Sequence, residues 1–210
     1  MKAELRVLYK MKRNVKIILI VFTITLLAGA WVWRYISFNN MYDELSRKGE
    51  TKVYEIGSIV PFGDNWIQHN CHALGYSLRV DRFEVVDYEE FLSEHEGVES
   101  TNPYIPEKLA IAYVTLSKEK SEDLGVMLTE LKLHGIDQVV GMDWDLLLKL
   151  NPILEGNYGI ALLDDSECEL ILPFDLYRDF FSIYTWNNLE QYDMFLRMTI
   201  WPEEIKVKVQ

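Results

Sequence analysis

One uncharged apolar run near the amino terminus limits what this chain can fold into more than any other feature. The run extends from Ile17 to Trp33, with Lys16 before it and Arg34 after it. A membrane-spanning helix needs about 20 mostly apolar residues. The long aliphatic stems of the two flanking basic residues extend the usable length, because their charges can reach the lipid headgroups. The sequence therefore predicts a transmembrane helix over residues 17–36.

The residues that flank the run predict its orientation. Aromatic residues cluster at its carboxyl end, where amphipathic rings prefer the membrane interface. Six basic residues precede the run and only Glu4 opposes them: Lys2, Arg6, Lys10, Lys12, Arg13 and Lys16. Because an excess of Lys and Arg marks the cytoplasmic side of a membrane, we expect the amino terminus inside the cell and the carboxyl-terminal part outside it.

A cleaved signal peptide is the alternative interpretation of the same segment. A basic beginning, an apolar stretch from Ile17 to Leu27 and the small triplet Ala28-Gly29-Ala30 resemble a signal peptidase site. The aromatic cluster continues past the triplet, which favours an uncleaved signal-anchor. Both interpretations export the rest of the chain.

The sequence after the run is long enough for one folded domain. No proline-rich or glycine-rich linker and no internal repeat interrupts it. We therefore divide the chain into a basic cytoplasmic stub (residues 1–16), the transmembrane helix (17–36), a juxtamembrane stalk (37–50) and an extracytoplasmic domain (51–210).

The exported part is strongly acidic. Seven of the 21 basic residues and one of the 33 acidic residues lie in residues 1–38, so the remainder has a net charge of −18. Such a surface repels phosphate backbones, which argues against nucleic acid as a partner and favours cationic groups. The charge also has a simpler explanation, since it keeps an exposed domain soluble.

Hydrophobic periodicity predicts a mainly β domain. Residues 76–80 alternate between apolar and polar, and the phase slips by one residue at Phe83, which predicts a bulge near Asp81 and Arg82. The apolar run Leu109–Leu116 has the length and composition of a central strand that is covered on both faces.

Turn and capping signals complete the predicted fold. Two hairpins are expected, one of residues 109–116 with 124–133 and one of residues 158–163 with 168–172. Two terminal strands meet at Trp201-Pro202, and short helices begin after Asp87 and at Asp143. Many short strands with brief helices favour an antiparallel β-sandwich.

Several segments resemble a family of small single-span proteins from Gram-positive gut bacteria. They are the basic stub, the single span, the strands GYSLRV and LAIAYVTL, the LPF after a late hairpin and the terminal MTIWPEEIKVKV. Members of that family carry an immunoglobulin-like extracytoplasmic domain of unknown function. The resemblance implies an immunoglobulin-like sandwich in the cell envelope and implies no active site.

The two cysteines, Cys71 and Cys168, both lie in the exported part, where a disulfide is permitted. The alternation of Cys168 with neighbouring leucines fits a buried free thiol equally well. His69 and His72 flank Cys71 and have metal-binding side chains. Successive residues of a strand point to opposite faces, so these side chains cannot all converge. We predict no metal and no cofactor.

Catalytic signatures are weak. Residues 117–120 match S-x-x-K, but the chain lacks the S-D-N and K-T-G elements of the serine enzymes that use it. Asp164 and Asp165 lie in an acidic turn that favours solvation over calcium binding. We predict that the protein is not an enzyme. A pair of carboxylates that meets only in the folded chain stays open.

An aromatic segment near the carboxyl terminus is the predicted binding surface. Phe180, Phe181, Tyr184 and Trp186 show no clear periodicity, and exposed apolar patches mark interaction sites. The sequence thus predicts a membrane-anchored extracytoplasmic domain that binds a protein or peptide partner. The alternative is a domain that binds or cleaves cell-wall glycan.

Overall fold

The computed structural model describes residues 22–36, 49–68, 71–95, 98, 104–120, 125–135 and 138–210. The chain divides into two compact units, Met1–Arg47 and Lys48–Gln210. In the first unit, helix α1 covers residues 22–36, which are exposed. The predicted stub (1–16) and nearly all of the predicted stalk lie outside the described residues. Across the described ranges, no helix combines the length and the apolar character needed to cross a membrane.

The second unit is mainly β, which confirms the coarse fold prediction. Its described residues include three short α-helices: α2 (Tyr88–Glu94), α3 (Trp144–Leu150) and α4 (Ile183–Trp186). The strands that the structure describes are β1 (Thr51–Glu55), β2 (Ile59–Pro61), β3 (Trp66–Gln68), β4 (Cys71–His72), β5 (Tyr76–Asp87), β6 (Lys108–Lys118), β7 (Val126–Met127), β8 (Lys132–Gly135), β9 (Gln138–Val140), β10 (Gly159–Ile160), β11 (Ser166–Leu176), β12 (Met194–Arg197) and β13 (Glu204–Lys208).

These strands form two larger and two smaller sheets. The five-stranded sheet has the order β1-β13-β12-β8-β9, and the four-stranded sheet has the order β11-β6-β5-β2. Strands β10 and β7 form one two-stranded sheet, and β3 and β4 form the other. The predicted antiparallel arrangement needs one correction, because β1 runs parallel to β13. The pairs within the four-stranded sheet are antiparallel.

The two larger sheets contribute side chains to one main hydrophobic core. The four-stranded sheet contributes alternating residues such as Ala110, Ala112 and Leu172. The five-stranded sheet contributes Leu196 and Val207. The immunoglobulin-like form of the sandwich stays a prediction.

Strand β6 is the central strand that its apolar run predicted. It pairs with β5 on one side and β11 on the other. Its even-numbered residues enter the main core, whereas Leu109 and Ile111 face a second cluster with Phe91 of α2 and Leu146 of α3. Coverage on both faces explains why the run shows no alternation.

The bulge, the cap of α2 and the start of α3 near Asp143 also lie where the sequence predicted them. The register of β5 against β6 shifts between Val80 and Arg82. Asp87 accepts backbone N–H groups at the start of α2, and Asp143 does the same at the start of α3. Helix α3 ends at Leu150, and its C-cap residue, Asn151, directly precedes Pro152.

Both internal hairpins were predicted with the wrong partners. Strand β6 pairs with β5 and β11, while β7 and β10 pair with each other. Turn-forming residues in the sequence indicate where a strand ends, but they do not specify which strand pairs with it in the sheet. The two terminal strands predicted on either side of Trp201-Pro202 are present as β12 and β13. They are antiparallel neighbours, and the peptide bond between Trp201 and Pro202 in their connection is cis.

Candidate functional site

The predicted aromatic segment lies in the connection between β11 and β12 and separates into two pairs. Phe180 and Tyr184 are 66% and 67% exposed. Phe181 and Trp186 are half-buried against the main core, with their ring centroids 5.7 Å apart. Ile183, which the sequence reasoning missed, is 67% exposed beside them. We call Phe180, Ile183 and Tyr184 the aromatic patch.

Local hydrogen bonds hold the aromatic patch in place. The Ser182 hydroxyl accepts the backbone N–H of Thr185 and so caps α4. The side-chain amide of Asn188 donates to the carbonyl of Tyr184 at 2.7 Å. These bonds and the half-buried Phe181 and Trp186 fix the segment, so the exposed rings belong to an ordered surface.

A pocket of about 210 Å³ opens beside the patch. One wall is β9 together with Gly141 and Met142, and the other includes Tyr177, Phe180 and Phe181. Asp175, near the end of β11, is the acidic residue of the lining. We call this cavity the β9 pocket. Its lining includes Phe180, one of the predicted patch residues, and Asp175, a carboxylate that the sequence analysis did not single out.

Asp175 meets Asp143 next to this pocket. Asp143 is 4% exposed, and its Oδ1 accepts the backbone N–H groups of Asp145 and Leu146 at 2.9 and 3.0 Å. Oδ2 of Asp143 and Oδ1 of Asp175 are buried, and no donor from another described residue reaches them. The two carboxyl groups interact directly.

Burial and the negative charge of Asp143 together raise the pKa of Asp175 to about 7. The hydroxyl of Tyr177, which donates to Asp175 Oδ2 at 3.0 Å, acts in the opposite direction. The group thus exchanges its proton near neutral pH. This is the converging carboxylate pair that sequence reasoning left open, and only the fold identifies its members.

The segment that carries Asp143 also covers the free edge of β11. Met142 forms a bridge with Phe174, and the N–H of Asp143 donates to the carbonyl of Pro173 at 2.9 Å. The side chain of Asn151 donates to the carbonyl of Ile171 and accepts its N–H. Strand β9, in contrast, is the last strand of its sheet in the described chain.

A second concavity lies on the outer face of the four-stranded sheet, with a volume of about 920 Å³. Its charged groups largely neutralise one another. Arg79 bonds Asp81 at 2.5 Å and Thr115 at 3.1 Å. The guanidinium of Arg82 lies 3.9 Å from the ring centre of Tyr113 and covers the ring. That aromatic face is therefore occupied and does not offer a stacking surface for sugar.

The two cysteines lie on different strands. Cys71 is half-buried on β4 and Cys168 is buried on β11, and the structure shows no disulfide between them. Burial raises the pKa of Cys168, which makes its thiol less reactive. The predicted disulfide stays a prediction. His69 lies outside the described residues, and the described part of the chain contains no group of three or more metal-binding side chains.

The acidic turn before β11 contacts the end of β6. Asp164 pairs with Lys118 at 3.1 Å, so a basic side chain of the S-x-x-K segment is already engaged.

Comparison with known sequences identifies one family. The family described as Domain of unknown function (DUF5028) matches residues 51–205, which is most of the second unit and includes the β9 pocket and the aromatic patch. No curated protein and no solved structure matches the chain.

Proposed function

The chain belongs to the DUF5028 family, and on that premise we propose that it is a membrane-anchored extracytoplasmic binding domain that engages a protein or peptide partner through the aromatic patch. The proposal includes an immunoglobulin-like sandwich outside the cell and an anchor at residues 17–36. It treats the chain as a binding protein and not as an enzyme.

The exposure of the aromatic patch is the observation that carries the proposal. Phe180, Ile183 and Tyr184 lie within five residues of one another, and each exposes about two-thirds of its surface. Large apolar side chains that cluster on an ordered surface mark interaction sites, and aromatic residues supply much of the binding energy at interfaces. The two rings beneath them provide a rigid support.

Sequence features support the proposed location. The apolar run from Ile17 to Trp33 follows six basic residues, and the chain beyond residue 38 has a net charge of −18. This asymmetry is typical of a single-span protein with its amino terminus in the cytoplasm.

The glycan alternative has less support from the geometry. Glycosidases hold two carboxylates about 5 Å or more apart to leave room for the sugar or a water, whereas Asp143 and Asp175 are in direct contact. The larger groove presents an aromatic ring that Arg82 already covers. We therefore propose one function.

Site-specific crosslinking tests the proposal. A photoreactive phenylalanine analogue replaces Tyr184 in the full chain, expressed in its source cells and irradiated. We expect one discrete adduct above the mass of the chain. The matched control places the analogue at Leu163, which is 82% exposed and precedes β11, whereas Tyr184 follows it. The strand between them is about 33 Å long.

Two outcomes would contradict the proposal. One is the absence of an adduct at Tyr184, and the other is the same adduct at both positions. The second would indicate general proximity at the membrane surface in place of a binding site.

A further inference from the structure

The β9 pocket combines three features that together point to one kind of occupant. Its volume of about 210 Å³ suits a single long side chain. Its wall carries an acidic group, Asp175, backed by the buried Asp143. Its rim is an edge strand with an exposed Val139.

The acidic pair has no cation of its own among the described residues. The groups that act on the Asp175 carboxyl are Asp143 and the Tyr177 hydroxyl. The remaining lining, from Gln138 to Met142 and at Phe180 and Phe181, is neutral. Burying two carboxyl groups without a counter-charge is costly unless they share a proton or meet a cation.

Basic side chains of the adjoining elements do not act on the Asp175 carboxyl. On β6, Lys108 lies over the ring of Trp186, 5.9 Å from its centre. On α3, Lys149 pairs with Asp145 at 2.8 Å. Arg178 is exposed, and its side chain is not among the groups that shift the pKa of Asp175. The pocket is thus complementary to a positive charge that the described part of this chain does not supply.

We infer that the β9 pocket receives a lysine or arginine side chain from an extended segment of the partner protein, which pairs with the edge of β9. The inference rests on the proposed function and specifies the partner chemistry. Edge strands accept extended segments through main-chain hydrogen bonds, while pockets for alternate side chains give specificity. The acidic domain favours the same charge.

The chemistry of the step is a proton exchange. An ammonium or guanidinium group enters the pocket, the proton of the Asp175 carboxyl passes to solvent, and the Asp175 carboxylate then accepts N–H groups from the cation. Charge-assisted hydrogen bonds of this kind are the stronger ones in proteins. Binding therefore strengthens as pH rises from 5.5 to 8.

Peptide binding by the full chain, purified in detergent, tests the inference. The probe is a fluorescent acetyl-Thr-Val-Lys-Val-Thr-amide, and its partner probe carries norleucine in place of lysine. At pH 8 we expect the lysine probe to bind about tenfold or more tightly than the norleucine probe, the fold-change typical of one hydrogen bond to a charged group. We expect this preference to shrink at pH 5.5.

Two variants remove the subsite in different ways. Asp175→Asn keeps the shape and removes the charge. Gly141→Leu places an apolar side chain at a lining position of the pocket, where an added Cβ meets no atom within 4 Å. Both are expected to abolish the preference for lysine. Asp179→Asn, at an exposed position next to the same loop, is the control and is expected to keep it.

The outcomes separate this inference from the proposed function. Equal binding of the two probes, or an unchanged preference in Asp175→Asn and Gly141→Leu, overturns the cation subsite. If Tyr184→Ser still weakens both probes in that case, the aromatic patch remains a binding surface. A missing crosslink at Tyr184 would instead overturn the proposed function itself.

Discussion

At the residue scale, Asp143 shows how one side chain serves two parts of the molecule. Its Oδ1 caps α3, and its Oδ2 faces Asp175. An aspartate before an apolar helix is a readable capping signal. Its second role depends on Asp175, 32 residues later on β11, and leaves no trace in the local sequence.

The raised pKa of Asp175 predicts a stability change with pH. A carboxyl whose pKa is raised from 3.8 to about 7 on folding contributes most below pH 4, and its contribution is lost as pH rises to about 7. Asp175→Asn prevents the loss of stability that occurs when Asp175 ionises, because asparagine does not ionise. Its amide keeps a hydrogen-bond donor for Asp143. We expect the variant to be more stable than the parent at pH 8 by roughly 2 to 4 kcal/mol, since one pKa unit is equivalent to about 1.4 kcal/mol.

Urea unfolding of the full chain at pH 4 and pH 8 measures the effect. The gain is expected at pH 8 and not at pH 4. Asp179→Asn, an exposed substitution on the same loop, should leave both values within about 0.5 kcal/mol. A gain of equal size at the two pH values would show that Asp175 does not take up a proton on folding.

At the element scale, the bulge in β5 shifts the alternation of apolar residues by one position, so both halves of this long strand direct apolar side chains to the main core. Before the bulge, Leu78 and Val80 enter the main core, and after it Phe83 and Val85 pack against that core. One extra residue changes the parity of the strand, because successive side chains alternate between faces.

Two single-residue deletions test this account. Deleting Asp81 removes the extra residue and leaves regular alternation from Val80 to Phe83, so we expect the variant to fold with a modest loss of about 1–2 kcal/mol from its broken bonds to Arg79 and Thr115. Deleting Glu84 shifts Val85 to the wrong face, and we expect that variant not to fold.

Circular dichroism and thermal unfolding distinguish the two deletions. The account predicts a cooperative transition for the Asp81 deletion and none for the Glu84 deletion. It is wrong if both variants unfold alike.

At the scale of the whole molecule, the chain consists of a basic segment, an apolar run and an acidic β domain. The proposed anchor would keep the acidic domain at the outer membrane surface, where its patch and pocket meet partners in the same membrane or in the envelope. Electrostatic attraction would guide basic segments toward it.

Alkaline extraction of membranes tests the anchor and distinguishes it from a cleaved signal peptide. We expect the full chain, detected by a carboxyl-terminal tag, to remain in the membrane pellet at its full length. Leu26→Arg combined with Leu27→Arg places two charges in the apolar run, which is expensive in hydrocarbon, and should release the protein or block its export.

The opposite result would be a soluble product that lacks about thirty residues. Such a product would identify cleavage after Ala30 and would rule out the anchor, although it would leave the domain outside the cell.

Local features were the ones that the sequence predicted well. The cap at Asp87, the helix that starts near Asp143, the bulge near Asp81, the coverage of β6 on both faces and the two terminal strands follow from a few neighbouring residues each. Strand partners were missed, since hydrogen bonding between strands joins residues far apart in the chain. The partners of β6 are examples: β5 precedes it and β11 begins 48 residues after it ends.

In the candidate site, too, some features were predictable from the sequence and others depended on the fold. The sequence by itself determined that residues 180–186 supply aromatic rings, because composition is visible without a fold. Only the tertiary structure decided which rings are exposed and that β9 is an edge strand. It also decided that Asp143 and Asp175 meet beside them. The physical reason is that exposure and the pairing of charges depend on how distant segments pack, whereas capping, alternation and the apolar run depend on neighbours in the chain.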